Sequence, residues 1–295
     1  MLNRHKGLFI AACTLPALLL FGLFALYPFL KAIMMAFYSW SGISQEKTFI
    51  GLDNFKTLLQ DPIVWTALKN NLLLLLVTPV LTMGLSLLFA VLLTRKTLRE
   101  RSFYRTVFFF PNVLALVVIS ILWSFIYHPT FGILNSFLHK IGLDSWTHAW
   151  LGESNTVLWA LAVPMVWQAV GYYMVIYIAA MEGIPSHLYE AAVLEGASQT
   201  KQFTQITFPL IWSVVRITIV FFLIGVFNGS FVYVQVMTNS GPDHASEVLM
   251  TYMYKQAMQN GNFGYGAAVG VFSLIVTILL AWFSERLTER DSVEF

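Results

Sequence analysis

Charge is what this sequence has least of. Only 11% of its 295 residues are charged and 58% are hydrophobic, whereas a soluble domain carries about 25% charged residues. That composition excludes an ordinary water-soluble fold and implies an integral membrane protein. Cysteine is nearly missing too. A lone Cys13 rules out an intramolecular disulfide and any multi-cysteine metal cage, and it is expected to act as a small buried apolar group.

The motifs of catalysis are also missing. There is no Gly-x-x-x-x-Gly-Lys-Ser/Thr loop, and no Gly is followed directly by Lys, so the chain has no recognisable means of hydrolysing ATP. The histidines (His5, His128, His139, His148, His187, His244) never form His-Glu-x-x-His and are expected in links as scattered surface residues; no metal is assigned to them. No Gly-x-Ser-x-Gly elbow occurs, and no Asp or Glu stands in the middle of an apolar run, Glu182 marking only an end. A carboxylate inside the bilayer is the usual sign of a proton relay, so its absence counts against a proton-coupled carrier. Without a nucleophile, metal or paired carboxylates in the apolar runs, a membrane-embedded enzyme is disfavoured as well. The net charge of +2 is too small to suggest a nucleic-acid partner.

What the sequence does have is length of apolar chain. A run of about 20 residues crosses a hydrocarbon core as a helix, and six are present: 8–30, 72–94, 106–127, 156–182, 211–237 and 263–283. The expected fold is all-α, a polytopic membrane protein with six transmembrane helices forming one domain over 1–295. "IAAC" at Ile10–Cys13 looks like a lipoprotein cleavage box, but too few apolar residues precede it and the run continues past it, so an uncleaved first span is expected. Basic residues set the orientation. The link at 95–105 holds Arg95, Lys96, Arg99, Arg101 and Arg105, whereas that at 128–155 holds only Lys140. By the positive-inside rule both termini and the 183–210 loop are cytoplasmic; Lys31, Lys47, Lys56 and Lys69 lie in a long link that weighs less.

Polar and helix-breaking residues punctuate the spans. Pro79, Pro111 and Pro164 each free a backbone carbonyl, which is tolerable only where protein or a watery cavity can satisfy it. The fourth span carries Trp167, Gln168, Gly171, Tyr172 and Tyr173, and the fifth carries Asn228, Gly229 and Ser230. Aromatic faces beside amides and hydroxyls suit a sugar. Equally, Gly and Ser allow close helix packing while Asn bonds to a neighbour, and the residues alone leave both readings open. Arg216 is expected to snorkel to the headgroups.

The loop "EAAVLEGASQTKQFTQITFPL", Glu190–Leu210, is not a plain hydrophilic link. Ile184-Pro185 breaks the preceding span and predicts a short helix, in which Leu188, Ala191, Ala192 and Glu195 share one face. Gly196 permits a bend, Ser198 is placed to cap a second short helix, and Pro209 marks the next span. With so few charges, a face of small side chains fits a cleft in another protein better than a lipid headgroup surface.

Glu190, Ala191, Ala192, Gly196, Ile206 and Pro209 form a spaced pattern that resembles the coupling-loop signature of inner-membrane permease subunits of bacterial ATP-binding-cassette importers, closest to the maltose and glycerol-phosphate type. Further stretches carry the same resemblance: Gly51-Leu52-Asp53-Asn54-Phe55, Phe110-Pro111, Trp123, Gly132-Ile133-Leu134-Asn135, Trp167 with Gly171, Ile184-Pro185, Leu188-Tyr189, Gly241-Pro242 and Asn262-Phe263-Gly264-Tyr265-Gly266. Three positions depart from it. Glu195 stands where Asp is usual, Phe208 where Leu is usual, and Ser240 where a Gly often precedes Gly-Pro; the last puts the local turn geometry in question.

The resemblance implies a division of labour. This chain and a second permease would form the path, and two cytoplasmic ATPases would bind ATP and Mg, no cofactor being held by this chain. An extracytoplasmic solute-binding protein would deliver carbohydrate (sugar, oligosaccharide or polyol phosphate) to the outer links at 36–71 and 238–262. The setting would be the bacterial inner membrane and its lipid. Tyr189, Glu190, Ala191, Ala192, Glu195, Gly196, Ala197, Phe203 and Pro209 would engage an ATPase, while Trp167, Gln168, Gly171, Tyr172, Phe227, Asn228, Ser230 and Phe231 would face the substrate. A secondary solute carrier is the alternative, although neither inverted repeats nor ion-coupling residues are seen. A scaffold subunit without a path of its own would be told apart by whether fourth- and fifth-span mutations change substrate preference.

Overall fold

The computed structural model describes residues 2–43, 46–94 and 99–288, so Arg95 and Lys96 of the expected basic link lie outside the described residues. In chain order the helices are α1 (Leu2–Phe21), α2 (Tyr27–Met35), α3 (Asp53–Gln60), α4 (Pro62–Thr94), α5 (Arg101–Val113), α6 (Leu116–Ile126), α7 (Ile133–Lys140), α8 (Val157–Glu182), α9 (Ser186–Leu194), α10 (Gln199–Gln202), α11 (Phe208–Met237), α12 (Leu249–Tyr254) and α13 (Phe263–Thr288). Two strands, β1 (Tyr38–Ser39) and β2 (Thr48–Phe49), pair antiparallel with Tyr38 opposite Phe49. The fold is therefore all-α apart from this ribbon. Five helices are long and apolar enough to span a bilayer, or six if the bent pair α5–α6 is one span.

The expected spans are present with altered limits. The first runs through a π turn at Gly22–Leu26 and reaches Met35. The second begins at Pro62, ahead of its apolar run, because Asn70 and Asn71 at its polar end hold a later loop. The third is not one rod. α5 and α6 meet at 100°, with Leu114 and Ala115 in extended conformation. Pro111 has already removed one ladder hydrogen bond from the last turn of α5. By contrast α4 and α8 run on through Pro79 and Pro164. His5 falls within α1 rather than in a link.

The chain divides into two compact units, residues 1–64 with 252–274 and residues 65–251 with 275–295. In the first, the stretch Phe9–Met35 buries none of its apolar window within the chain. Cys13 is accordingly exposed, not buried as expected, because its helix buries none of its apolar window among the described residues. Two sequence motifs meet in this unit. The buried Asn54 donates to the carbonyls of Ala36 (2.8 Å) and Tyr38 (3.0 Å), and the Gly264 amide donates to Trp40 (3.3 Å). Gly264 must lack a side chain, since a Cβ there would meet the Tyr38 carbonyl. Nearby, Tyr252 and Tyr265 both donate to Asp61 Oδ2, while Asp61 Oδ1 accepts from the Ile63 amide at 2.9 Å. Burial pushes the Asp61 carboxyl up, but the hydrogen bonds from Tyr252, Tyr265 and the Ile63 and Val64 amides outweigh it and leave its pKa below the usual carboxylate value. Burial, and then its bond to Asp61, push the Tyr252 phenol up.

In the second unit α8 is the central element. On one side Ser86 of α4 donates to the Val170 carbonyl at 2.8 Å. On another, Gly171 admits α5 so closely that a Cβ would strike the backbone of Phe108 and Phe109. Tyr177 pairs with Thr218 of α11 at 2.8 Å, and Arg105 pairs with Glu182 at 2.6 Å at the end of α8. The loop after α11 is held by Asn70, which donates to the carbonyls of Ala245 and Glu247, and by Asn71, which accepts from the Leu249 amide. Its centre is Glu247, fully buried, accepting from Ser240 (2.6 Å) and Thr251 (2.6 Å) and paired with His244 (2.8 Å). Ser240, where a glycine was anticipated, does adopt φ +69. That conformation costs a side chain about 1–2 kcal/mol, and the short bond to Glu247 offsets it.

Candidate functional site

Two regions bring the anticipated residues together. The first is the segment joining α8 to α11. Pro185, extended at φ −59 and ψ 131, precedes α9 and acts as its N-cap position. α9 ends in a Schellman arrangement: the Gly196 amide donates to Val193 (3.0 Å) and the Ala197 amide to Ala192 (2.9 Å), with Gly196 at φ +74. Ser198 Oγ then accepts from the Lys201 amide at 3.3 Å and caps α10. α10 is not a separate helix as expected. It passes through a π turn, Phe203–Thr207, straight into α11, so that Gln199–Met237 is one 39-residue run. Pro209 follows that turn without ending the helix, the π turn absorbing the missing donor.

Cross-bonds stiffen the segment. Tyr189 on α9 pairs with Thr207 at the base of α11 at 2.8 Å, and Gln202 donates to the Ala197 carbonyl at 2.9 Å. Tyr189, Glu190 and Phe203 line a crevice of about 560 Å³ with the C-terminal ends of α4 and α8. Glu190, Ala191, Glu195, Gly196 and Pro209 are exposed, Ala192 and Ala197 half-buried, and Glu195 caps α9 instead of lying on its face. The largest apolar exposure was not anticipated. Val193 is 62% and Leu194 90% exposed at the tip of α9.

The second region is a cavity of about 400 Å³ among α5, α6, α8 and α11, a volume within the usual range of small-molecule sites. Gln168, Tyr172 and Ser230, anticipated from sequence, line it. Asn112, at the end of α5 beside the bend, and Tyr233, one turn beyond Ser230, line it as well and were missed. Glycines 225 and 229 open room for it on the α11 side. Trp167 packs edge-on against Trp123, Gly171 serves the α5 contact, Phe227 is buried, Asn228 is exposed and bonded to the Ile224 carbonyl, and Phe231 is half-buried; none of these five lines the cavity.

The polar groups around the cavity are free. Ser230 donates to the Phe227 carbonyl, but among the described residues Asn112, Gln168, Tyr172, Tyr173 and Tyr233 have no hydrogen-bond partner in the protein. Among the described residues no charged side chain lines the space. The lining thus offers amides, phenols and the ring faces of Tyr172, Tyr173 and Phe222, an environment suited to a neutral, hydroxyl-rich solute.

Residues 62–290 match the family described as binding-protein-dependent transport system inner membrane component. The chain is 39% identical to the probable ABC transporter permease protein YurN of Bacillus subtilis, over 95% of this chain and 96% of that protein. It is 37% identical to the diacetylchitobiose uptake system permease protein NgcF of Streptomyces coelicolor, over 90% of this chain and 77% of the relative. Its fold is similar to a chain in the crystal structure of a bacterial ABC transporter that imports the acidic polysaccharide alginate, with a TM-score of 0.85, 24% identity and coverage of 97% and 96%.

Proposed function

Since the chain belongs to the family of binding-protein-dependent transport system inner membrane components, a non-catalytic permease subunit of ATP-binding-cassette importers, we propose that it carries a neutral carbohydrate through the cavity between α5, α6, α8 and α11. The observation that supports this reading is the lining. Among the described residues, five polar side chains without a protein partner and aromatic walls surround the space, and none that lines it is charged. A phosphate or uronate would want an arginine or lysine there. A sugar needs what is present, and the diacetylchitobiose of the Streptomyces relative is of that uncharged class.

The remaining assignments are part of the same proposal, which membership of the family supports. All of residues 1–295 act as one permease domain beside a second permease, with both termini cytoplasmic in an inner membrane. Two ATPases hold ATP and Mg, and an extracytoplasmic binding protein delivers the sugar to the outer loops. The exposed α9 tip, with Glu190, Ala191, Ala192, Gly196 and Ala197, seats in one ATPase. Because α9 is tied to α11 through Tyr189–Thr207 and α10 is continuous with α11, movement of the tip is passed to the cavity wall as a rigid-body displacement. ATP drives the switch only by binding one state better, and taking a 1:99 population to 99:1 needs about 5.5 kcal/mol.

The test is uptake by cells that depend on the importer, offered radiolabelled glucose, N-acetylglucosamine and arabinose disaccharides and sn-glycerol 3-phosphate. ATP-dependent accumulation of a neutral disaccharide, reduced about tenfold or more in Gln168→Ala and Tyr172→Ala, supports the proposal. Accumulation of glycerol phosphate alone, or unchanged uptake in both variants, refutes it.

A further inference from the structure

Tyr233 stands apart from the other residues of the cavity. Its ring forms part of the wall, yet only 3% of the residue is exposed, and its hydroxyl is sealed from solvent with no hydrogen-bond partner among the described residues. Its surroundings are apolar: it packs in a cluster with Leu74, Ile119, Leu161, Met165 and Val234. A buried hydroxyl left without a partner is destabilising, and phenylalanine would fill the same space without that cost. The hydroxyl therefore calls for a partner that the described residues do not supply.

That partner has to come from the cavity side. The cluster around the ring includes the Tyr127 phenol and the Trp123 indole, but among the described residues neither reaches the Tyr233 hydroxyl, whereas the cavity is lined by the amides of Asn112 and Gln168 and has room for a solute. Resting on the carbohydrate reading of this path, we infer that Tyr233 is a specificity-determining residue: when sugar fills the cavity, the Tyr233 hydroxyl turns onto one sugar hydroxyl and pairs with it. Because the phenol oxygen lies on the ring axis, rotation about the C–O bond re-aims only its proton, and a small shift of the whole side chain toward the cavity brings the oxygen to the sugar. Selectivity follows from the same arrangement, because a sugar lacking that hydroxyl would leave the phenol buried and unsatisfied, the situation in which a site rejects an analogue most strongly.

The experiment uses the assembled importer and the radiolabelled disaccharide that the native protein accumulates best. Tyr233→Phe is expected to raise the KM for uptake about threefold to tenfold, the worth of one neutral hydrogen bond. Its thermal stability should be equal to or above native, which a merely structural tyrosine bonded in the fold would not give. Monodeoxy analogues of the disaccharide then locate the partner. One of them should lose the same factor with native protein and lose nothing further with Tyr233→Phe. If Tyr233→Phe transports with native KM and discriminates the analogues as native does, the inference is overturned. Gln168→Ala and Tyr172→Ala measured alongside distinguish the two failures: their loss of uptake with an unaffected Tyr233→Phe sinks the role of Tyr233 alone, and three unaffected variants sink the path itself.

Discussion

Three substitutions at Gly196 separate what the helix cap demands of the backbone from what a docked ATPase leaves of space. Gly196 lies at φ +74, and among the described residues nothing comes within 4 Å of where its Cβ would stand. In the isolated subunit, then, a side chain meets no obstacle and pays only for the left-handed conformation. For Ala this is about 1 kcal/mol, a factor of about five in the capped population. Asn and Asp adopt that region more readily. The backbone alone therefore ranks Asn and Asp above Ala. A partner groove closing over the exposed tip reverses the ranking. Asn adds bulk, and Asp brings a carboxylate whose burial without a counter-charge costs several kcal/mol. The assay is ATP hydrolysis by the assembled importer in proteoliposomes, stimulated by sugar-loaded binding protein, with recovery of the ATPase on purification read in parallel. The expected order is Ala, then Asn, then Asp, with Asp losing stimulation more than tenfold. Asn and Asp both better than Ala would show that nothing seats against Gly196 and would refute the docking argument.

Two further outcomes follow from the α5–α8 packing and from the hydrogen bonds that converge on Asp61. Gly171→Ala should destabilise the assembled importer by about 1–3 kcal/mol, since the added methyl meets the Phe108–Phe109 backbone and α5 must move from α8; an unchanged melting temperature would contradict that close approach. Asp61→Asn should cost about 2 kcal/mol after allowance for partial exposure, by removing the charge on which Tyr252 and Tyr265 converge. The pH sign is set by the shifts. The Asp61 pKa is depressed in the fold, so its contribution is present above the unfolded value of about 3.9 and is lost as pH falls through the lower folded value. The Tyr252 phenol is raised, so its contribution holds below about pH 10 and is lost at higher pH. Thermal melts of the variant should lack the acid-side loss seen in native protein, and an identical acid limb in both would overturn the assignment.

Composition and hydropathy alone determined that this is a helical membrane protein, because apolar runs long enough to cross a bilayer have no other stable use. The cap residues of the segment between α8 and α11 were equally legible: Pro185 and Gly196 act through their backbone preferences and Ser198 through its side-chain oxygen, and they stand where those local preferences put them. What depends on neighbours was not legible. The 100° break between α5 and α6 falls at Leu114–Ala115, residues with no breaking tendency of their own. The continuity of α10 with α11 needed a π turn that no residue pattern announces. Glu247 reads as an ordinary loop carboxylate until Ser240, His244 and Thr251 surround it. The polar lining divides the same way. Gln168 and Tyr172 drew attention because they are polar within an apolar run, but Asn112 lies next to a helix break and Tyr233 is one aromatic among many. Only the packing of α5, α6, α8 and α11 turns both toward the same cavity, since which face of an all-apolar helix is inside is decided by its partners and not by its own sequence.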